Sequence, residues 1–181
     1  MAVVATGFFD GVHLGHRQVI QALVSTARQA GVESVVVTFD RHPRQVLGLD
    51  SDKLILLSTL ESRVKMLKEL GVDRVEVLPF TKEFASLTAE RYIREVLVER
   101  FGAAVLVMGY DNRLGSDGCG PEEIGRIAAR EGLKTVVVPP FGVDAAGGGV
   151  VSSTRIRKLI ASDEVAEASA LLGYDYFPEV D

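Results

Sequence analysis

The sequence predicts an α/β fold: a doubly wound parallel sheet of about five strands with helices on both faces. Three observations carry this. Apolar β-branched runs alternate along the chain with segments of helical period, which implies parallel strands joined by right-handed crossovers. Runs such as "SVVVTF" and "AVLVMG" are almost wholly apolar and carry no charge, as suits strands buried on both faces. Hydrophobic residues make up 47% and charged residues 25% of the chain, a balance that builds a packed core rather than a disordered chain.

The elements follow in order. Val3–Thr6 is the first strand. Leu14 to Ala30 carries apolar residues at Val19, Ile20, Leu23, Val24 and Ala27, which is helical spacing, and Gly31 ends it. Val35–Phe39 is the second strand, followed by a polar, irregular stretch from Asp40 to about Leu57. Ser58 and Glu61 have capping-box spacing for a helix that runs to Leu70 and stops at Gly71. Arg74–Leu78 is the third strand, Ala89–Phe101 a long helix and Ala103–Met108 the fourth strand. Pro121 suits the first position of a helix ending near Gly132, and Leu133–Val138 is the fifth strand. Ser152 or Ser153 can cap a helix from about Thr154, and Val165–Leu172 is a last short helix. The glycine run Gly147–Gly149 reads as a mobile loop too short to divide domains, so residues 1–181 are expected to form a single domain.

Composition excludes several classes. A net charge of −5 argues against a broad nucleic-acid footprint, while leaving room for local basic sites that take a phosphorylated small molecule. One cysteine, Cys119, allows no intrachain disulfide and suits a reducing cytoplasm. The N-terminus lacks a signal-peptide pattern, and no run of about 18 apolar residues predicts a membrane span. Oligomeric state is not encoded in any pattern here.

In doubly wound sheets ligands bind outside the carboxyl ends of the strands. The segments there are "GFFDGVHLGH", "TFDRHP", "LPFTKEF", "GYDNRLG" and "GVVSSTRIR". The chain has three histidines, and two of them, His13 and His16, flank Gly15 where the first long helix begins. Free amides and the positive dipole end make that place an anion site. Gly15 leaves room for a phosphate to approach the backbone, and both imidazoles can donate to its oxygens. Two histidines with the only cysteine far along the chain do not make a zinc ligand set, so no metal site is expected from the protein. Ser152, Ser153 and Thr154 lie at a second helix start, with Arg155 and Arg157 following. Hydroxyls, amides and guanidinium groups form a phosphate cradle, or a plain serine cap with two solvated arginines. His42 before Pro43 is either a site residue or a loop histidine at a turn. Asp111 is either a ligand contact or an Asx-turn residue.

H-x-G-H after a first strand is the signature of the nucleotidylyltransferase superfamily, whose sheet is Rossmann-like. The longer "GFFDGVHLGHR" resembles the start of the FMN adenylyltransferase (FAD synthetase) domain of bacterial bifunctional riboflavin kinase/FAD synthetases. The resemblance runs nearly end to end. "VVVTFDRHPRQVL" is similar to that family's TF-x-PHP segment, and "LGVDRVEVLPFTKEFASLTAERYI" to its middle. "GYDNRLG" takes the place of G-x-[DN]-F-R-F-G, and "VSSTRIRKLIASDEVAEASALLGYDY" matches the end of the domain. The resemblance implies catalytic roles for His13, His16, Ser152, Ser153 and Arg155. It implies ATP contacts from Gly7, Phe8, Phe9, Asp10, Gly11, Gly15, Asp111, Thr154 and Arg157. Flavin contacts are implied for Phe39, His42, Pro43, Asp111 and Arg113.

Three departures stand out. Asn112 and Leu114 replace two aromatics of the family motif, Arg41 replaces a proline in TF-x-PHP, and residues 1–181 are expected to hold no counterpart of the kinase domain. The resemblance implies adenylyl transfer from ATP to FMN with Mg²⁺, giving FAD and pyrophosphate. Two alternatives stay open: another phosphorylated acceptor, or a non-catalytic binding relative.

Overall fold

The computed structural model describes residues 1–49, 54–142 and 149–177. Five parallel strands form one sheet in the order β3-β2-β1-β4-β5. They are β1 (Ala2–Thr6), β2 (Glu33–Phe39), β3 (Arg74–Leu78), β4 (Ala103–Gly109) and β5 (Lys134–Val138). The order reverses direction at β1, which pairs with β2 on one side and β4 on the other. That reversal opens a crevice at the carboxyl ends of β1 and β4.

The alternation of side chains along each strand feeds two cores. Val4, Val35 and Leu106 face Ile93, Leu97 and Ile124 on one side. Val3, Ala5, Val36 and Val107 face Ile20, Leu23 and Leu67 on the other. The second group buries the apolar stripe of α1 (Leu14–Ala30), the one expected from its spacing. Gly31 ends α1 in a left-handed conformation, with its amide bonded back to Ala27 and Arg28.

The remaining helices are α2 (Pro43–Val46), α3 (Leu60–Glu69), α4 (Lys82–Ala85), α5 (Ala89–Arg91), α6 (Pro121–Arg130), α7 (Ser153–Ala161) and α8 (Val165–Leu172). Three details correct the sequence expectation. Thr59, not Ser58, caps α3, because the Ser58 hydroxyl is held by Asp10 and the Gly11 amide instead. The long helix after Ala89 is α only to Arg91 and continues as a π-helix over Tyr92–Arg100. Its wider turn sets Tyr92, Ile93, Val96 and Leu97 against the sheet, and the Tyr92 hydroxyl meets Thr6 Oγ1 at 2.6 Å. The stretch expected to be irregular after β2 contains α2, nucleated by a cap at His42. The expected glycine loop lies outside the described residues except for Gly149. Among the described residues, no helix is long and apolar enough to cross a membrane.

Candidate active site

A cavity of about 350 Å³ lies at the switch in strand order. Its walls are the loop after β1 (Thr6–Asp10, His13), the first turns of α1 (Gly15, His16, Val19), and the ends of β4 and β5 (Gly109–Asn112, Pro139–Phe141). Val150–Thr154 and Arg157 close one side, and His42 and Arg44 another. The loop after β1 carries strain: Phe9 and Val12 hold φ of 57° and 40°, a left-handed geometry that residues other than glycine rarely adopt.

His13 is the N-cap of α1. Its Nδ1 accepts the His16 backbone amide at 3.3 Å. A neutral ring that accepts at Nδ1 carries its proton on Nε2, so the free edge of His13 is a donor. Its ring stacks on that of His16 at 3.6 Å between centroids, with 16° between the planes, and His16 stands edge-on to Phe9. Burial lowers the His13 pKa to about 4, with the Arg157 charge adding to the fall. Burial also holds His16 well below its ordinary value, helped by His13 and Arg157. Both imidazoles are therefore neutral donors near pH 7. The His16 Nδ1 atom is buried without a hydrogen-bond partner.

Gly15 lines the cavity, and the His13 ring gives a second physical reason for glycine there. A Cβ would sit 3.2 Å from His13 Cε1 and 3.6 Å from the Val151 carbonyl. The glycine thus lets the imidazole fold over the helix start.

The α7 start stands across the cavity. Ser152 caps it by accepting the Arg155 amide, and Ser153 Oγ donates to the Asp10 carbonyl at 3.2 Å. Arg157, one turn on, donates from Nε to the Ile55 carbonyl at 2.7 Å and from Nη2 to the Asp10 carboxylate. His42 caps α2 through Nδ1 and meets the Phe8 ring edge-on at 4.6 Å. Burial lowers its pKa to about 4; Arg157, Arg44 and Arg63 push the same way and Asp10 opposes them. The cavity thus has an imidazole- and arginine-rich end and a more neutral end at Gly109–Tyr110 and Pro139–Phe141.

A family model described as FAD synthetase matches residues 1–155. The chain belongs to the FAD synthetase family. A bifunctional riboflavin kinase/FMN adenylyltransferase of Listeria monocytogenes is 37% identical over 96% of the chain and 54% of that relative. The chain thus spans about half the length of that relative. A putative bifunctional riboflavin kinase/FMN adenylyltransferase of Geobacillus thermodenitrificans is 32% identical over 96% of the chain and 90% of its own length. A solved structure described as a macrolide-efflux protein from Streptococcus pneumoniae is 33% identical, with a TM-score of 0.83 over 96% of this chain and 55% of that one.

Most residues that the family motifs single out meet in the cavity. His13, His16, Gly7, Phe8, Phe9, Asp10, Gly15, His42, Asp111, Ser152, Ser153, Thr154 and Arg157 all line it. Five others do not. Gly11 (φ 74°) is packed against Leu57 and Leu172, and its carbonyl accepts the Tyr174 hydroxyl. Phe39 is buried in the core among Phe80 and Phe84. Pro43 sits in the first turn of α2. Arg113 donates to the Gly118 carbonyl. Arg155 donates to the Gly149 carbonyl and pairs with Glu167 of α8 at 3.1 Å. Of the two replaced aromatics, Asn112 lines the cavity, whereas Leu114 bridges to Cys119 and packs on the core.

Sequence reasoning missed Arg63 and Arg44. Arg63 is 1% exposed, donates to the Phe39 carbonyl at 2.6 Å and lies 3.9 Å over the Phe8 ring. Its position in α3 reads as one more surface charge, and no local pattern marks it as buried. Arg44 lines the cavity beside His42, and it directly follows the strand-end segment "TFDRHP".

Proposed function

We propose that the chain transfers the adenylyl group of ATP to the phosphate of FMN, giving FAD and pyrophosphate. The observation that carries this is the pair of neutral, stacked imidazoles at the start of α1, facing the start of α7 and Arg157 across one cavity. Family membership supports the same reaction. An FMN phosphate oxygen attacks the α-phosphorus in line, the bond from that phosphorus to the bridging oxygen breaks, and pyrophosphate leaves with the electron pair. No protein nucleophile is required, so catalysis is positioning and stabilisation of phosphoryl charge. His13 Nε2–H and the His16 ring donate to the phosphoryl oxygens. The free amides at the α7 start, with Ser152, Ser153, Thr154 and Arg157, hold the phosphate chain. The nucleotide base fits the neutral end at Gly109–Tyr110 and Pro139–Phe141, and the flavin fits beside Phe8, His42 and Asn112.

Mg²⁺ belongs to this reading as the counter-ion of ATP. Among the described residues, no group of three or more His, Cys, Asp or Glu could hold a metal ion. Of the two carboxylates lining the cavity, Asp10 is occupied by protein donors, which leaves Asp111. Asp111 stands beside the Gly109–Tyr110 end rather than the phosphate end, so a magnesium ion would be carried by the phosphates of ATP rather than by protein carboxylates. There it would supply neutralisation of phosphate charge. Residues 1–181 are read as one functional unit, because α7 lies partly beyond the matched segment and yet brings Arg157 to the cavity. A cytoplasmic setting suits the lone thiol Cys119.

The test is an assay of the purified protein with Mg-ATP and a panel of phosphorylated acceptors, scored for pyrophosphate and the adenylylated product. FAD from FMN supports the proposal. Asn112 in the cavity wall, where the family has an aromatic, favours one second reading: a different phosphorylated acceptor. Turnover with another acceptor and none with FMN would establish that instead, and ligand binding without turnover would mark a binding module.

A further inference from the structure

Asp10 stands out because its carboxylate, in a residue only 3% exposed, is fully occupied by the protein. Oδ1 accepts the Leu57 amide at 3.0 Å, the Ser58 amide at 3.2 Å and the Ser58 hydroxyl at 3.3 Å. Oδ2 accepts the Leu57 amide at 3.1 Å and the Arg157 guanidinium. The Asp10 carbonyl takes the Ser153 hydroxyl. One residue therefore ties the strained loop after β1 to the segment before α3 and to the first turns of α7. These three segments are far apart in sequence.

Arg157 is the group this arrangement positions. Its side chain is 15% exposed, and the Ile55 carbonyl and the Asp10 carboxylate bind two edges of its guanidinium. Its charge bears on His13, His16 and His42 alike. A guanidinium fixed at two edges keeps its remaining N–H groups aimed in one direction, which is the preorganisation that phosphoryl transfer exploits.

We propose that Asp10 is a positioning residue: it fixes the Arg157 guanidinium at the phosphate end of the cavity and makes no contact with nucleotide itself. This rests on the reading of the cavity as an adenylyl-transfer site. It differs from the role the family motif suggests for Asp10, which is a nucleotide contact.

Asp10→Asn separates the two jobs of the carboxylate. With its oxygen kept at the Oδ1 site, the three loop bonds made there persist; the amide nitrogen takes the Oδ2 site, gives up the second contact to the Leu57 amide, and faces the Arg157 N–H groups, donor against donor. The guanidinium must move while the fold stays. The experiment compares wild type, Asp10→Asn, Arg157→Met and the double variant, each with its melting temperature, kcat, and KM for ATP and FMN. Asp10→Asn should lower kcat by about tenfold to a hundredfold, the scale of a small misplacement in an active site, with FMN KM little changed. The double variant should be no worse than Arg157→Met, because the two residues act as one unit. Losses that multiply in the double variant, or turnover by Asp10→Asn within about threefold of wild type against that scale, overturn the proposal.

If Asp10→Asn does not fold, Arg157→Lys decides. It leaves Asp10 and its loop bonds intact, but an ammonium cannot hold both the carboxylate and the Ile55 carbonyl in the fork geometry. Wild-type turnover in that variant overturns the proposal, and a loss of about tenfold or more supports it. If wild type forms no FAD, the same four proteins are compared for binding of α,β-methylene-ATP by calorimetry. Non-additive losses of affinity there uphold the positioning role while the acceptor reading fails. Additive losses, or no binding by wild type, overturn both.

Discussion

His13→Asn separates the two roles that His13 combines. The Nδ1 edge caps α1, which leaves Nε2–H as the donor that His13 can offer in the cavity it lines. Asparagine is as good an N-cap as any residue, and its Oδ1 can accept the same His16 amide. It cannot supply the Nε2–H donor. The helix start should therefore survive, while turnover falls by about 10²–10³, the usual cost of removing one preorganised donor from a transition state. His13→Ala should lose the same donor and a further ~1 kcal/mol of stability, because it also removes the cap. Gly15→Ala is a companion with the opposite sign on the helix. Alanine favours a helix interior by up to about 1 kcal/mol over glycine, but its Cβ would press on His13 Cε1 at 3.2 Å and tilt the ring away. The assays are FAD formation under saturating ATP and FMN, and thermal unfolding. If His13→Asn keeps kcat within about threefold of wild type against that reference loss, the Nε2 edge has no part in the chemistry and the site must be read again.

Three further outcomes are expected. Lowering the pH should destabilise the fold through His13. Its folded pKa of about 4 lies below the ordinary 6.5, so its contribution is present above pH 6.5 and lost as pH falls toward 4. At about 1.36 kcal/mol per tenfold change in acidity, the loss is on the order of 3 kcal/mol. Denaturant melts at pH 7 and pH 4 on wild type and His13→Asn check this, and equal losses in the two proteins would refute it. Arg157→Ala should depress kcat/KM for ATP at least about tenfold more than Arg155→Ala, because Arg157 lines the cavity and Arg155 is engaged with Gly149 and Glu167; steady-state kinetics of both variants decide it. Asn112→Phe should tighten FMN binding by up to about tenfold, measured by flavin fluorescence quenching. Adding Leu114→Phe should bring no further gain and cost about 1–3 kcal/mol by overpacking the core, read from the melt.

The sequence alone determined the layers, the five strands, most of the longer helices, and the strand ends at which the candidate cavity lies. Strand runs such as Val35–Phe39 and the stripe Val19–Ile20–Leu23–Val24–Ala27 signal themselves because burial is written as local period. Caps are legible for the same reason: a cap bonds amides two or three residues away, so Ser152 could be named, and the competing choice at Ser58 failed only because a partner 48 residues earlier takes its hydroxyl. What the tertiary structure decided is everything that depends on distant partners. The strand order with its reversal at β1 brings His13, His42, Asp111 and Arg157 to one cavity. Which arginine of "STRIR" faces that cavity depends on α7 being tied to Asp10, 147 residues away in the chain. The burial of Arg63 against Phe8 and the role of Gly15 beneath the His13 ring leave no local trace, since a side chain's neighbours across space are not set by its neighbours along the chain. The neutrality of the imidazoles belongs to the same class: pKa follows burial and nearby charge, and both exist only once the chain has folded.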